Sequence, residues 1–143
     1  MINGKGNGKF GPDDYLEYSE ALKFIMNAAG YTYEQSTAFG TNWAQNYKDA
    51  AVSRGWMSST VDLTKPITRD AMAELAARVL GISAATGASP FSDSNNMWAA
   101  ALYNNKIILG NDSSAKPTFN GSGNLKRHEM ISLVYRMYLY SGK

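Results

Sequence analysis

Three stretches of the chain carry the same apolar stripe at the same offsets, and few folds accommodate that regularity. Leu16-Glu17-Tyr18-Ser19-Glu20-Ala21 leads a helical run that ends at Gly30, and Ile67-Thr68-Arg69-Asp70-Ala71-Met72 leads one that ends at Gly81. Leu125-Lys126-Arg127-His128-Glu129-Met130 opens a third, which runs to Tyr140 ahead of Ser141-Gly142. Ala21, Phe24, Ile25 and Ala28 fall at i, i+3, i+4, i+7, and so do Met72, Leu75, Ala76, Val79 and Met130, Leu133, Val134, Met137. Each set is one face of a helix. Gly30 and Gly81 stand where a left-handed residue would end it.

A second motif recurs between these runs. Trp43, Tyr47, Ala50 and Ala51 mark an amphipathic helix stopped by Gly55. Fifty-one residues on, Trp98, Ala101 and Leu102 fall in register with Tyr47, Ala50 and Ala51, and Lys106 takes the place of Gly55. Phe10 precedes Leu16 and Phe119 precedes Leu125 by six residues, each near glycines, which suits a turn that folds one aromatic inward as a plug. The unit is therefore a short helix, a glycine-rich loop with a plug, and a long helix. Such units bury their stripes only against neighbours. The expected fold is all-α, with tandem helix-loop-helix repeats around a central three-helix bundle. The long helices span about 17–30, 68–80 and 126–140 in mutual contact, with Trp43 and Trp98 on short outer helices. Residues 1–35 form the second half of a first repeat, 36–87 the second repeat and 88–143 the third. Only Lys106-Ile107-Ile108-Leu109 reads as a short extended piece.

Composition narrows the chemistry. A chain of 143 residues supports one core without covalent staples. With no cysteine and a single histidine, disulfides, thiol nucleophiles and Cys- or His-cluster metal sites are excluded. No run approaches the ~20 apolar residues of a membrane span. The polar, glycine-rich start has no signal-peptide core, so the chain reads as cytosolic or as a piece of a longer surface protein. The net charge of +2 divides into −1 over residues 1–71 and +3 over 72–143. The C-terminal end faces anions mildly, short of the dense basic face that nucleic acid needs.

Ile67-Thr68-Arg69-Asp70-Ala71-Met72 and the helix after it resemble the I-T-R-A-E segment of an S-layer homology repeat. Phe91-Ser92-Asp93 is similar to the F-x-D opening of that family, Asn42-Trp43-Ala44 to its W-A helix start, and Gly8-Lys9-Phe10-Gly11-Pro12-Asp13 to its G-x-F-x-P-D loop. The order of the motifs covers almost the whole chain. The resemblance implies a triple-repeat pseudo-trimer that docks a bacterial surface protein on an anionic cell-wall polysaccharide, held in grooves between repeats. It assigns the main anion contact to the arginine of the motif, here Arg69 and Arg127, with Tyr18 in the first repeat. Trp43, Trp98 and Tyr135 would be the groove aromatics. No cofactor, nucleic acid or membrane partner is implied, and the expected state is a monomer.

The same motif also reads as a capping box, Thr and Glu exchanging bonds with backbone amides at a helix start. Capping does not account for an arginine there, since a cation near a helix N-terminus is mildly unfavourable. A guanidinium that grips a ligand carboxylate and one that pairs on the surface both remain open. Other candidates are weaker. Asp13, Asp14, Glu17 and Glu20 could suggest a glycosidase pair, and Asp93, Asn95 and Asp112 a Ca²⁺ site without EF-hand spacing. Gly4-Lys5-Gly6-Asn7-Gly8 lacks the Lys-Ser/Thr ending of a phosphate loop. Tyr138 is expected to rim the core, leaving Tyr135 for a sugar. The chain thus reads as a non-enzymatic polysaccharide-binding module, with a protein–protein interaction module on the same scaffold as the alternative.

Overall fold

The computed structural model describes residues 14–31, 43–108 and 118–141. The Phe10 plug, Asp13 and Asp112 lie outside the described residues, as does the side chain of Trp43. The described residues form five helices: α1 (Tyr18–Ala28), α2 (Trp43–Ser53), α3 (Arg69–Leu80), α4 (Met97–Asn104) and α5 (Arg127–Ser141). The three apolar stripes become α1, α3 and α5, and the helix starts agree with the expected ones to within a residue or so. One expectation changes: α2 is as long as α1, at 11 residues each, so short and long helices do not alternate strictly.

The apolar columns build the core. Ala21, Ile25, Met72, Leu75, Ala76, Met130, Leu133 and Met137 are all buried, and Phe24 and Val134 are half-buried beside them. Helix α1 buries more than its stripe, because Leu22 and Met26 are also inaccessible. It packs against α2, α3 and α5 at once, so one face cannot be enough. Helix α4 lies on α3. Helices α3 and α5 pack less closely than the other pairs and meet through side chains at their starts, so the mutual contact that the stripes suggested is uneven.

What joins the long helices is backbone pairing just ahead of each. Leu16 N donates to Leu125 O (3.1 Å), Leu125 N to Ile67 O (2.8 Å), and Ile67 N to Leu16 O (3.0 Å), which closes a ring of three bonds. Two residues along, Tyr18 N donates to Lys65 O (2.8 Å), Arg69 N to Gly123 O (2.9 Å) and Arg127 N to Asp14 O (3.0 Å). These bonds satisfy amides that every helix start leaves without an intrahelical partner. Three isolated antiparallel bridges, Tyr15 with Lys126, Glu17 with Pro66 and Thr68 with Asn124, belong to the same ring. Leu16, Ile67 and Leu125 point their side chains into the core from it.

The helix ends follow one pattern. In α3, Gly81 N donates to Arg78 O and Ile82 N to Ala77 O, with Gly81 in the left-handed region at φ 76°. Helix α4 ends the same way: Lys106 N donates to Tyr103 O and Ile107 N to Leu102 O. This paired closure with an apolar residue after the turn is a Schellman end. The expected extended piece at 106–109 is therefore, over its described part, the closure of α4, which turns Ile107 and Ile108 into the core.

Phe119 is buried as expected, with its ring centroid 5.1 Å from that of Phe91. Asp93 latches this plug from outside: its carboxylate accepts from Phe119 N (2.8 Å) and Asn120 N (2.9 Å). Those two amides hold the Asp93 carboxyl below its ordinary value of 3.8. A depressed folded-state value means the latch acts fully above the unfolded value and is lost as pH falls through the folded one. Asp93→Asn is accordingly expected to lower the melting temperature at pH 7 and to change it less at pH 3, where the native carboxylate is itself being protonated. An equal drop at both pH values would show that the charge of Asp93 plays no part.

Candidate functional site

Arg69 and Arg127 each occupy the first turn of a long helix, and each reaches a carboxylate on another long helix. Arg69 Nη2 donates to Glu129 Oε1 and Oε2 at 2.7 Å, and its Nε to Oε2 at 2.9 Å. Arg127 Nη2 donates to Glu20 Oε2 at 2.7 Å. Both arginines are largely shielded from water, with side chains 13% and 5% exposed. Each glutamate does two jobs. Glu129 also accepts from Lys126 N (2.9 Å) and Glu20 from Glu17 N (3.3 Å), the return half of a capping box. Thr68, where Ala71 offers no carboxylate, caps alone by accepting from Ala71 N at 3.1 Å.

These pairs explain the irregular motif. The first segment has glutamate without arginine, the second arginine without glutamate, and the third both. Arg69 uses the glutamate of the third and Arg127 that of the first. The remaining corner would set Tyr18 against Ala71, where both charges are missing together, and both residues are half-buried against the core. Burial, and then the charge of Glu74, raises the Tyr18 hydroxyl above its usual 10.0, so Tyr18 stays neutral. Two glycines permit the geometry. A methyl group on Gly123 would run into the Arg69 guanidinium, and one on Gly121 into the Asp70 carboxylate. Both arginines thus tie one helix start to another, so they are structural as well as candidate ligand groups.

Above the Arg69–Glu129 pair, α3 and α5 are separated by a cavity of about 340 Å³. Met72, Ile107, Ile108, Phe119, Leu125 and Leu133 form its apolar lining, and Arg69, His128, Glu129, Ser132 and Arg136 its polar one. Three side chains that are or can be cationic thus face one carboxylate. Trp98 does not join this group. It lies under Arg78, whose guanidinium carbon is 4.6 Å from its ring centroid, while Arg78 also pairs with Glu74 at 2.9 Å. Trp98 borders a separate, broad depression with Asp70, Glu74, Asp93 and Asn96. Tyr135 is 63% exposed and Tyr138 66%, so Tyr138 does not rim the core; neither borders the cavity.

Within the acidic cluster at the start of α1, Glu20 pairs with Arg127, and the backbone carbonyl of Asp14 accepts from the amide of the same arginine. Among the described residues no three His, Cys, Asp or Glu side chains gather as a metal ion would require, and no helix is long and apolar enough to cross a membrane. The sequence pattern singled out neither the roles of Glu20 and Glu129 nor Arg136. The signal for the first was the reciprocal loss, Tyr18 in one segment and Ala71 in the next. No protein-family model matches the chain, and no curated protein matches it.

Proposed function

We propose that the chain is a non-catalytic binding module of the S-layer homology type, an incomplete first repeat and two full ones arranged as a pseudo-trimer. Its role is to anchor a surface protein to an anionic cell-wall polysaccharide of a Gram-positive-type bacterium. The ring of hydrogen bonds through Leu16, Ile67 and Leu125 supports the repeat arrangement, because its bonds recur at the same motif positions. The observation that carries the function is the cavity between α3 and α5. It offers an apolar wall for a sugar face and Arg69, His128 and Arg136 for an acidic substituent. Tyr18 in place of arginine leaves the first groove without that charge.

The test is retention on purified cell-wall material before and after chemical removal of its acidic substituents. The informative variant is Arg136→Gln, since that guanidinium bonds within its own helix, to Ser132 O. Removing a charge-assisted hydrogen bond to the glycan should cost about 1.5–3 kcal/mol, so binding should weaken at least tenfold with the melting temperature kept. Retention that survives this variant, or that is indifferent to the acidic substituents, removes the reading. A protein-binding function on the same scaffold is favoured by a different observation, an exposed apolar stripe on α5.

A further inference from the structure

We infer that the outer face of α5 docks an acidic amphipathic helix of a partner protein. Ile131, Tyr135, Tyr138 and Leu139 recur at i, i+4, i+7 and i+8 and are between 51% and 66% exposed. Exposed apolar residues scattered singly are ordinary, but a contiguous helical stripe marks an interaction surface. The core stripe of the same helix, Met130, Leu133 and Met137, lies on another face, so the outer stripe is not part of the core.

Charge decides the partner. Lys106 and Arg136 border a small notch with Leu139 and Tyr140 at one end of the stripe. Neither cation makes an ion pair among the described residues, whereas Arg69, Arg78 and Arg127 each hold a carboxylate. Lys106 is also held at φ 63°, in the left-handed region that side chains disfavour. Gly55, at the corresponding place 51 residues earlier, takes φ 78° without that strain. The turn at the end of α4 thus sets an exposed ammonium group beside the stripe where the earlier turn has none. A helix with apolar anchors at matching spacing and carboxylates over the notch satisfies both features. A second copy of this chain would bring the same two cations against these.

The inference places the protein-binding reading on one face and does not depend on the glycan reading. Two synthetic helical peptides with the same leucine stripe, one flanked by glutamates and one by lysines, are titrated into the ¹⁵N-labelled chain. The glutamate peptide should shift the amides of residues 131–140. Ile131→Ser with Tyr135→Ser should weaken it at least tenfold. Lys106→Gly should weaken it about fivefold without unfolding the chain, the effect of taking away one exposed charge partner. The lysine peptide should bind at least tenfold more weakly. No shift at those amides, equal binding of both peptides, or affinity unchanged by Ile131→Ser with Tyr135→Ser overturns the inference. So does concentration-dependent dimerisation that shifts the same amides without peptide. Wall retention is measured separately, so either reading can fail alone.

Discussion

Truncating Leu75 to alanine is expected to cost about 3–5 kcal/mol, and Leu133→Ala less, about 2–3 kcal/mol. Both leucines hold the same column of the apolar pattern and are nearly inaccessible, at 1% and 3% exposure. Their surroundings differ. Leu75 sits in α3, which packs against both α1 and α4, so a deleted isopropyl group leaves a void that nothing is placed to fill. Leu133 borders the cavity between α3 and α5, so it already lacks partner atoms on one side. Truncation there removes less dispersion attraction. A domain of this kind is stable by only about 5–15 kcal/mol in all, so Leu75→Ala should shift the denaturant midpoint far enough to read without ambiguity. Midpoints near that of the parent for both variants would show that the column is not core. A larger loss for Leu133 would show that the cavity is closed in solution.

The helices were legible because their signals are local. A 3.6-residue stripe, a cap such as Thr68 and a terminal Gly81 all lie within one turn of what they specify. The ring joining the helix starts was not legible, because its bonds run between backbone amides and carbonyls that no side chain advertises. The second buried face of α1 was hidden for a related reason: Leu22 and Met26 become core only when a third helix arrives. Lys106 hid the end of α4, since the expected glycine is absent while the left-handed conformation is kept. The site was legible as residue types and not as a constellation. Arg69 was expected to share a groove with an aromatic such as Trp98. Yet Arg69 turns toward α5 while Trp98 packs on Arg78, nine residues and so roughly 13 Å further along α3. The cavity draws its lining from α3, from the turn after α4, from the plug and from α5, four segments that only the folded chain assembles.

Arg127→Ala is expected to destabilise the fold by about 2–4 kcal/mol, well beyond the cost of an ordinary surface ion pair. The guanidinium is 5% exposed and Glu20 26%, so the attraction is little screened. Glu20→Ala should cost at least as much, because it strips a shielded arginine of this carboxylate and removes the return bond to Glu17 N. The chain itself suggests the compensating change. At the corner where arginine is Tyr18, glutamate is Ala71, and the helix starts there still hydrogen-bond, Tyr18 N to Lys65 O. Arg127→Tyr combined with Glu20→Ala copies that corner and should be about 1–3 kcal/mol more stable than the sum of the two single losses predicts, as expected for residues that touch. The four proteins of this cycle, unfolded in urea, give the coupling directly. Salt provides the control: the half-exposed Arg78–Glu74 pair, at 38% and 47% exposure, should lose most of its small coupling in about 1 M NaCl on screening grounds, and the Arg127–Glu20 coupling should largely survive. Strictly additive losses, or a coupling that vanishes with salt, would mean that the arginine is held by its neighbours without holding them, and would return it to the pool of groups free to meet a ligand.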